Sequence, residues 1–458
     1  MEYNLEEYVC HLMQGSDQSM AIPHLMKLSV KLLNDSRLSK GIEYARLAKD
    51  LAVKSGIISF IIDSAINYSN LVMLEGDIES ARTVLYGTYR AMTQAGADVF
   101  SEVKLLIAIA NFETRFGKVS ESENQIRRAY YKLGRNIDNS TLVRLHILES
   151  MNNFHINMET AISHADRAFE LAKKNPTSIL KCGALRNKMV ISSFLGNFSD
   201  SKDILDEIKR HPRTGDGQIE CDLETAIREI ELAIESGEYV LAEELISKYR
   251  DFAKKIGSRI HIACSLYLKS FNLLQKGRLN LSLNFSFDAL ELARKIGYNR
   301  LIGKILVNIG WIYVFQDKIL KTRNVIEECR DFDRKVDEIF KTEGLKNLDG
   351  WCSLFDGNHK RVAEIIQKIN EPDAIFKRVD IFDSRILKSV LLLRNGELKS
   401  SLREVQEIKK EFDALIQYPV YSCELMLLEA DLGLAMLDGF FKKMKSKRNS
   451  KTFFPGLA

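Results

Sequence analysis

Chemistry needs nucleophiles, acid–base pairs, metal ligands or phosphate-cradling loops, and the 458 residues of this chain offer few of these in a working arrangement. No GxxxxGK[ST] segment is present to wrap a nucleotide's phosphates, and no GxGxxG follows an expected strand. HExxH, GxSxG and EF-hand loops are missing as well. The eight histidines are dispersed. Of these, His155 and His164 are expected to flank a turn on two different helices, with no metal or acid–base role. Carboxylate pairs such as Glu243-Glu244 read as solvated helix faces. The seven cysteines (Cys10, Cys182, Cys221, Cys264, Cys329, Cys352 and Cys423) contain no CxxC pair and are odd in number. That fits neither a disulfide framework nor a zinc pattern, and it suits a reducing cytoplasm. No catalytic residue, cofactor or metal is expected, and the chain reads as a non-enzyme.

Composition narrows the field further. Hydrophobic residues at 45% and charged residues at 28% allow a large core. Only 6 prolines occur, a scarcity that points to long helices, whose interiors reject proline. Sixty-six basic against 62 acidic side chains leave a net charge of +4, too balanced for a dedicated nucleic-acid binder. The N-terminus, MEYNLEEYVC, lacks the basic and apolar regions of a signal peptide. Apolar runs such as Leu105 to Ala110 fall far short of the ~18 residues a membrane span needs. A soluble, cytoplasmic protein is expected.

What positions the side chains is a repeat. A glycine or polar residue (once an isoleucine) followed five positions later by a small one recurs at Ser36/Gly41, Gly76/Ala81, Gly117/Ser122, Ile156/Ala161, Gly196/Ser201, Gly237/Ala242, Gly277/Ser282 and Gly396/Ser401. The register predicts two further turns at Asp317 and Gly357, so ten anchors stand 39 to 41 residues apart. Each repeat reads as two antiparallel helices. Ile260 to Gln275 presents Ile260, Ala263, Leu266, Leu268, Phe271 and Leu274, and Leu279 to Lys295 presents Leu283, Phe287, Leu290 and Ala293. Gly56, Gly96, Gly257 and Gly297 suit the left-handed residue that ends a helix. Lysines just before Gly257 and Gly297 complement the helix dipole. Pro176, Pro212, Pro372 and Pro419 fall between repeats, Pro23 opens the first long helix, and Pro455 lies in the tail. The predicted organisation is an N-terminal capping segment over 1–19, a continuous solenoid over 20–440, and a basic, poorly ordered tail over 441–458.

The unit resembles the tetratricopeptide repeat, which has a Gly-Asp-type turn, a small residue five positions later and another seven positions earlier. Gly76-Asp77 with Ala81 and Ser69 matches, as does Gly277 with Ser282 and Ser270. Ala110, Gly310, Gly350 and Ser389 take the same earlier position. The 40-residue length is similar to the variant in sensor arms of bacterial maltose-type transcription activators. The resemblance implies an all-α, right-handed solenoid of about ten repeats and about 21 helices. It also implies that the first helix of each repeat lines a concave groove where a protein or peptide lies.

On that register, Phe271, Trp311 and Trp351 stand six residues before successive turns and face the groove. Tyr267, Phe315 and Phe355 are their partners one turn along, and Lys304 and Asn308 are placed to fix a ligand's polar groups. Equivalent positions elsewhere hold Asn70, Asn111, Val190, Glu231 and Val390, so the aromatic stretch is local. These eight residues are the expected partner-binding site. The bland alternative is that the rings pack between repeats. Asn67, Asn187 and Asn308 match a carboxylate-clamp position, but in separated repeats, so no clamp is expected. Lys442, Lys443, Lys445, Lys447, Arg448 and Lys451 read as a solvated terminus rather than an anion site. The expected function is a binding scaffold or adaptor in a signalling or regulatory assembly. Its alternatives are a sensor gated by a small molecule or short peptide and, ranked lower, a helical-repeat RNA binder.

Overall fold

The computed structural model describes residues 5–15, 17–134, 137–154, 157–174, 178–210, 218–336, 345–369, 378–412, 425–438 and 442. Every regular element among them is a helix. In chain order these are α1 (Leu5–Gln14), α2 (Ile22–Asn34), α3 (Leu38–Ser55), α4 (Ile58–Glu75), α5 (Ile78–Gln94), α6 (Val99–Phe116) and α7 (Val119–Leu133). Next come α8 (Asn139–Asn153), α9 (Met158–Lys173), α10 (Ser178–Phe194), α11 (Phe198–Arg210), α12 (Gln218–Glu235), α13 (Tyr239–Ile256) and α14 (Arg259–Gln275). The series ends with α15 (Leu279–Ile296), α16 (Asn299–Phe315), α17 (Ile319–Val336), α18 (Leu345–Phe355), α19 (His359–Ile369), α20 (Arg378–Arg394) and α21 (Leu398–Glu411). A 3-10 helix at Gln18–Ala21 precedes α2, and residues 425–438 are also helical. No helix among the described residues is long and apolar enough to cross a membrane.

From α2 to α21 the helices run as ten consecutive pairs, as anticipated, and nine of the ten expected turns fall among the described residues. Ser36, Gly76, Gly117, Gly196, Gly237, Gly277, Asp317, Gly357 and Gly396 all have positive φ, from 57° at Asp317 to 105° at Gly76. A left-handed residue reverses the chain after the first helix of a pair and satisfies its last carbonyls. Asp77 then caps α5, its carboxylate accepting from the Ser80 N–H at 3.1 Å. The anchor Ile156, together with His155, Pro176, Pro212, Pro372, Pro419 and the tail apart from Lys442, lies outside the described residues.

The small residues flanking each turn meet where the helices of a pair cross. Ala81, Ala161, Ser201, Ala242, Ser282 and Ser401 are completely buried. Where the facing residue is a serine, it adds a hydrogen bond that a short side chain can reach. Ser270 Oγ donates to the Ser282 carbonyl at 2.8 Å, and Ser282 Oγ returns a bond of equal length to the Ser270 carbonyl. Ser389 and Ser401 exchange the same reciprocal pair, and Ser150 reaches the Ala161 carbonyl at 2.8 Å. Smallness therefore serves both close approach and polar satisfaction of the buried crossing.

By packing, the chain divides into two compact units: Met1–Ser193 with Phe198–Ile234 and Glu238–Glu343, and Phe194–Asn197 with Glu235–Gly237 and Gly344–Ala458. In the first unit, Val9 of α1 joins Ile22, Leu25 and Leu28 of α2 and Ala48 of α3 in one apolar cluster. The same unit curls on itself. The second helix pair meets the seventh through α4 and α14, and the third meets the eighth through α6 and α16. Phe116 packs edge-on to Tyr298 at that closure, with centroids 5.4 Å apart. In the second unit, Leu354, Val362, Ile366, Leu387 and Leu391 form the core. Arg385 there gathers Glu404, Glu407 and Glu411.

Candidate binding face on the first helices of the pairs

In the first unit, one stripe of α12, α14 and α16 faces inward. Lys304 Nζ of α16 lies 3.4 Å from Glu231 Oε1 of α12, although α14 stands between those helices in the stack. First helices two apart come that close only where the surface they share is concave. Glu231, Phe271 and Trp311 occupy the same position of successive repeats, and Lys304 is two turns before Trp311. The rings and the ion pair therefore share one face.

Tyr267 and Phe271 stack with their planes 3° apart and centroids at 6.1 Å, and Trp311 stacks on Phe315 at 5.9 Å. Phe315 is 58% exposed, while Tyr267, Phe271 and Trp311 are half-buried. Trp311 is thus neither fully enclosed nor mostly free. In the second unit, Trp351 is half-buried against the Leu354–Leu391 core, and Phe355 is 39% exposed with the Arg394 guanidinium 5.5 Å above its ring.

Asn308 departs from expectation. It is buried, and its Nδ2 donates to Ser270 Oγ at 2.8 Å and to Ser286 Oγ at 3.1 Å. The amide is spent joining α16 to α14 and α15 and does not present itself to a ligand. Asn67 does the same in the second pair, donating to Ser29 Oγ at 2.8 Å. Lys304 keeps partial exposure but is already paired with Glu231.

A charged set that local sequence does not announce continues the face. Arg115 of α6 contacts Glu220 at 2.6 Å and Glu224 at 3.4 Å, both on α12. Arg228 pairs with Glu231 on the same helix. These side chains keep between 18% and 29% of their exposure while lying deep in the unit. Burial opposes the charge of Arg115, but Glu220 and Glu224 overcome it and hold the guanidinium above its ordinary value. Burial likewise opposes the charge of Glu224, yet Arg115 pulls that carboxyl down to about 2. His261 beside them is lowered by burial to about 4 and is therefore neutral near pH 7, its Nδ1 lying 2.7 Å from the Tyr249 hydroxyl. Cys264 is pushed up by burial to about 12, which leaves it an inert thiol.

No family model and no curated protein sequence matches the chain. Solved structures do. A Rap protein complexed with competence and sporulation factor superposes with a TM-score of 0.52 at 11% identity, covering 82% of this chain and 99% of its own. A tetratricopeptide repeat protein from Parabacteroides merdae covers 63% of this chain and 99% of its own at 14% identity, with a TM-score of 0.34. A human IFIT1 dimer with m7Gppp-AAAA covers 93% and 94% at 11% identity, with a TM-score of 0.45. At such identities the likeness concerns fold alone, and it extends to the repeat architecture rather than to activator sensor arms in particular. The paired helices, their left-handed turns and the likeness to the Rap protein complex together give one conclusion: the chain has the tetratricopeptide-like, all-helical repeat fold.

Proposed function

We propose that the chain is a non-enzymatic scaffold or adaptor that holds a protein or peptide segment against the inner face of α12, α14 and α16, in a signalling or regulatory assembly. The observation that carries this reading is the exposed Phe315 stacked on half-buried Trp311, beside the Tyr267–Phe271 stack of the preceding repeat. Stacked aromatics in a concave wall are efficient anchors, because they supply contact area with little side-chain entropy to lose. Around them, Arg115, Arg228 and Lys304 are matched by Glu220, Glu224 and Glu231. A polypeptide, with donors and acceptors of both kinds, suits a wall of mixed sign better than a polyphosphate does. The fold likeness to a Rap protein complexed with competence and sporulation factor is in keeping with a binding role.

Capture from native cell extract tests this. The intact chain should retain a discrete protein or peptide. Trp311→Ala with Phe315→Ala should lose it without losing helicity, whereas Leu320→Ala on α17 should keep it. Retention unaffected by removing the rings, or retention of RNA instead, would contradict the reading. A second reading, a sensor gated by a small molecule or short peptide, draws on the Arg115–Glu220 bridge, which ties the third pair to the sixth. A zwitterionic ligand that replaced the bridge would change the curvature, and small-angle scattering with and without it would record the change.

A further inference from the structure

His146 and Glu149 stand one turn apart on α8, and His164 lies on α9, the second helix of the same pair. Nδ1 of His146 is 2.9 Å from Glu149 Oε2 and 3.0 Å from His164 Nδ1. His164 Nδ1 is 3.1 Å from the same carboxylate oxygen. Three donor atoms thus form a nearly equilateral triangle. Protons do not satisfy all of its edges. If both imidazoles carry a proton on Nδ1, two N–H groups oppose each other across 3.0 Å. If one releases its proton, its lone pair faces the carboxylate oxygen. The Tyr130 hydroxyl already donates to that oxygen at 2.9 Å, so the carboxylate is also crowded as an acceptor.

A single cation above the triangle satisfies all three atoms at once. Edges near 3.0 Å match one face of an octahedron with metal–ligand bonds of about 2.1 Å, and a tetrahedral zinc site needs edges only about 0.3–0.4 Å longer. Two imidazoles with one carboxylate suit first-row transition metals, whereas calcium and magnesium prefer oxygen alone. Tyr130 would hold the ligating carboxylate in place, as outer partners of metal ligands do. His146 is buried, while Glu149 and His164 are partly exposed, which leaves a path for the ion. We propose that His146, Glu149 and His164 form a site for a divalent first-row transition cation, coordinated by two imidazole nitrogens and one carboxylate oxygen. The ion would clamp α8 to α9 and leave its remaining positions to water or to a donor from a partner.

Zinc and cobalt(II) are the probes, added to the full chain after stripping with a chelator and followed by calorimetry and visible absorption. One equivalent should bind, and the cobalt form should show d–d bands without thiolate charge transfer. His164→Ala should weaken binding by more than about tenfold with unchanged circular dichroism, and Tyr130→Phe by about tenfold. Should His164→Ala fail to fold, the near-isosteric Glu149→Gln should give the same loss. Absence of saturable uptake, uptake unchanged in the folded variant, or a thiolate band placing the ion on cysteines would overturn the site.

Discussion

The Ser258 hydroxyl donates a 2.7 Å hydrogen bond to the carbonyl oxygen of Leu74, 184 residues earlier in the chain. It joins the start of α14 to the end of α4, where the first unit closes on itself. Gly76, two residues beyond Leu74, is shaped by that closure. A Cβ there would lie 2.9 Å from Ile296 Cγ2 and 3.2 Å from Arg259 Cβ, at a φ of +105°. Gly56 also has positive φ, but nothing lies within 4 Å of its would-be Cβ. Gly56→Ala should therefore cost about 1–2 kcal/mol from backbone strain alone. Gly76→Ala should cost a further ~1–3 kcal/mol from overpacking. Denaturant titration separates the two, and equal costs would mean the closure is not held in solution.

Helix crossings give a second expectation. Ala81, Ala242 and Ser282 have no exposed surface, and each lies where the two helices of its pair meet. Replacing any one of them with leucine should cost roughly 1–3 kcal/mol through overpacking. An unchanged melting curve for all three would count against the register of the pairs.

Stability should fall with mild acid, through His261. Its folded value of about 4 lies below the ordinary 6.5, because burial disfavours the imidazolium. Between these values the unfolded chain binds a proton that the folded chain refuses. Its contribution is complete above pH 6.5 and declines as pH drops toward 4, by up to about 3 kcal/mol. His261→Gln should flatten the pH dependence of unfolding between pH 7 and 5. An unaltered slope would place the imidazole in a more solvated setting.

Those features differ in how much of them the sequence discloses. Turns at Gly76 or Asp317 are legible because a helix end is a local event, set by one left-handed residue and its neighbours. The small pair Ser270 and Ser282 is legible for the same reason, though its reciprocal hydrogen bonds are not. Arg115 and Glu224 stand 109 residues apart and meet only because the first unit curls. His146 and His164 are 18 residues apart on two helices, and no spacing rule marks them. Asn308 shows the limit of register. Three residues before Trp311, it lies around the helix toward α14, and a repeat period alone does not say which side of the stripe it serves.

The binding face is tested most directly by placing a photoreactive phenylalanine analogue at position 315 and, separately, at position 320, then irradiating in native cell extract. Phe315 is 58% exposed on the stacked stripe of α16, and Leu320 is 77% exposed on α17. Mass spectrometry of the adducts should find a discrete protein or peptide joined at 315 and nothing comparable at 320. Adducts at 320 but not at 315, or nucleic acid alone at 315, would contradict a polypeptide-binding face.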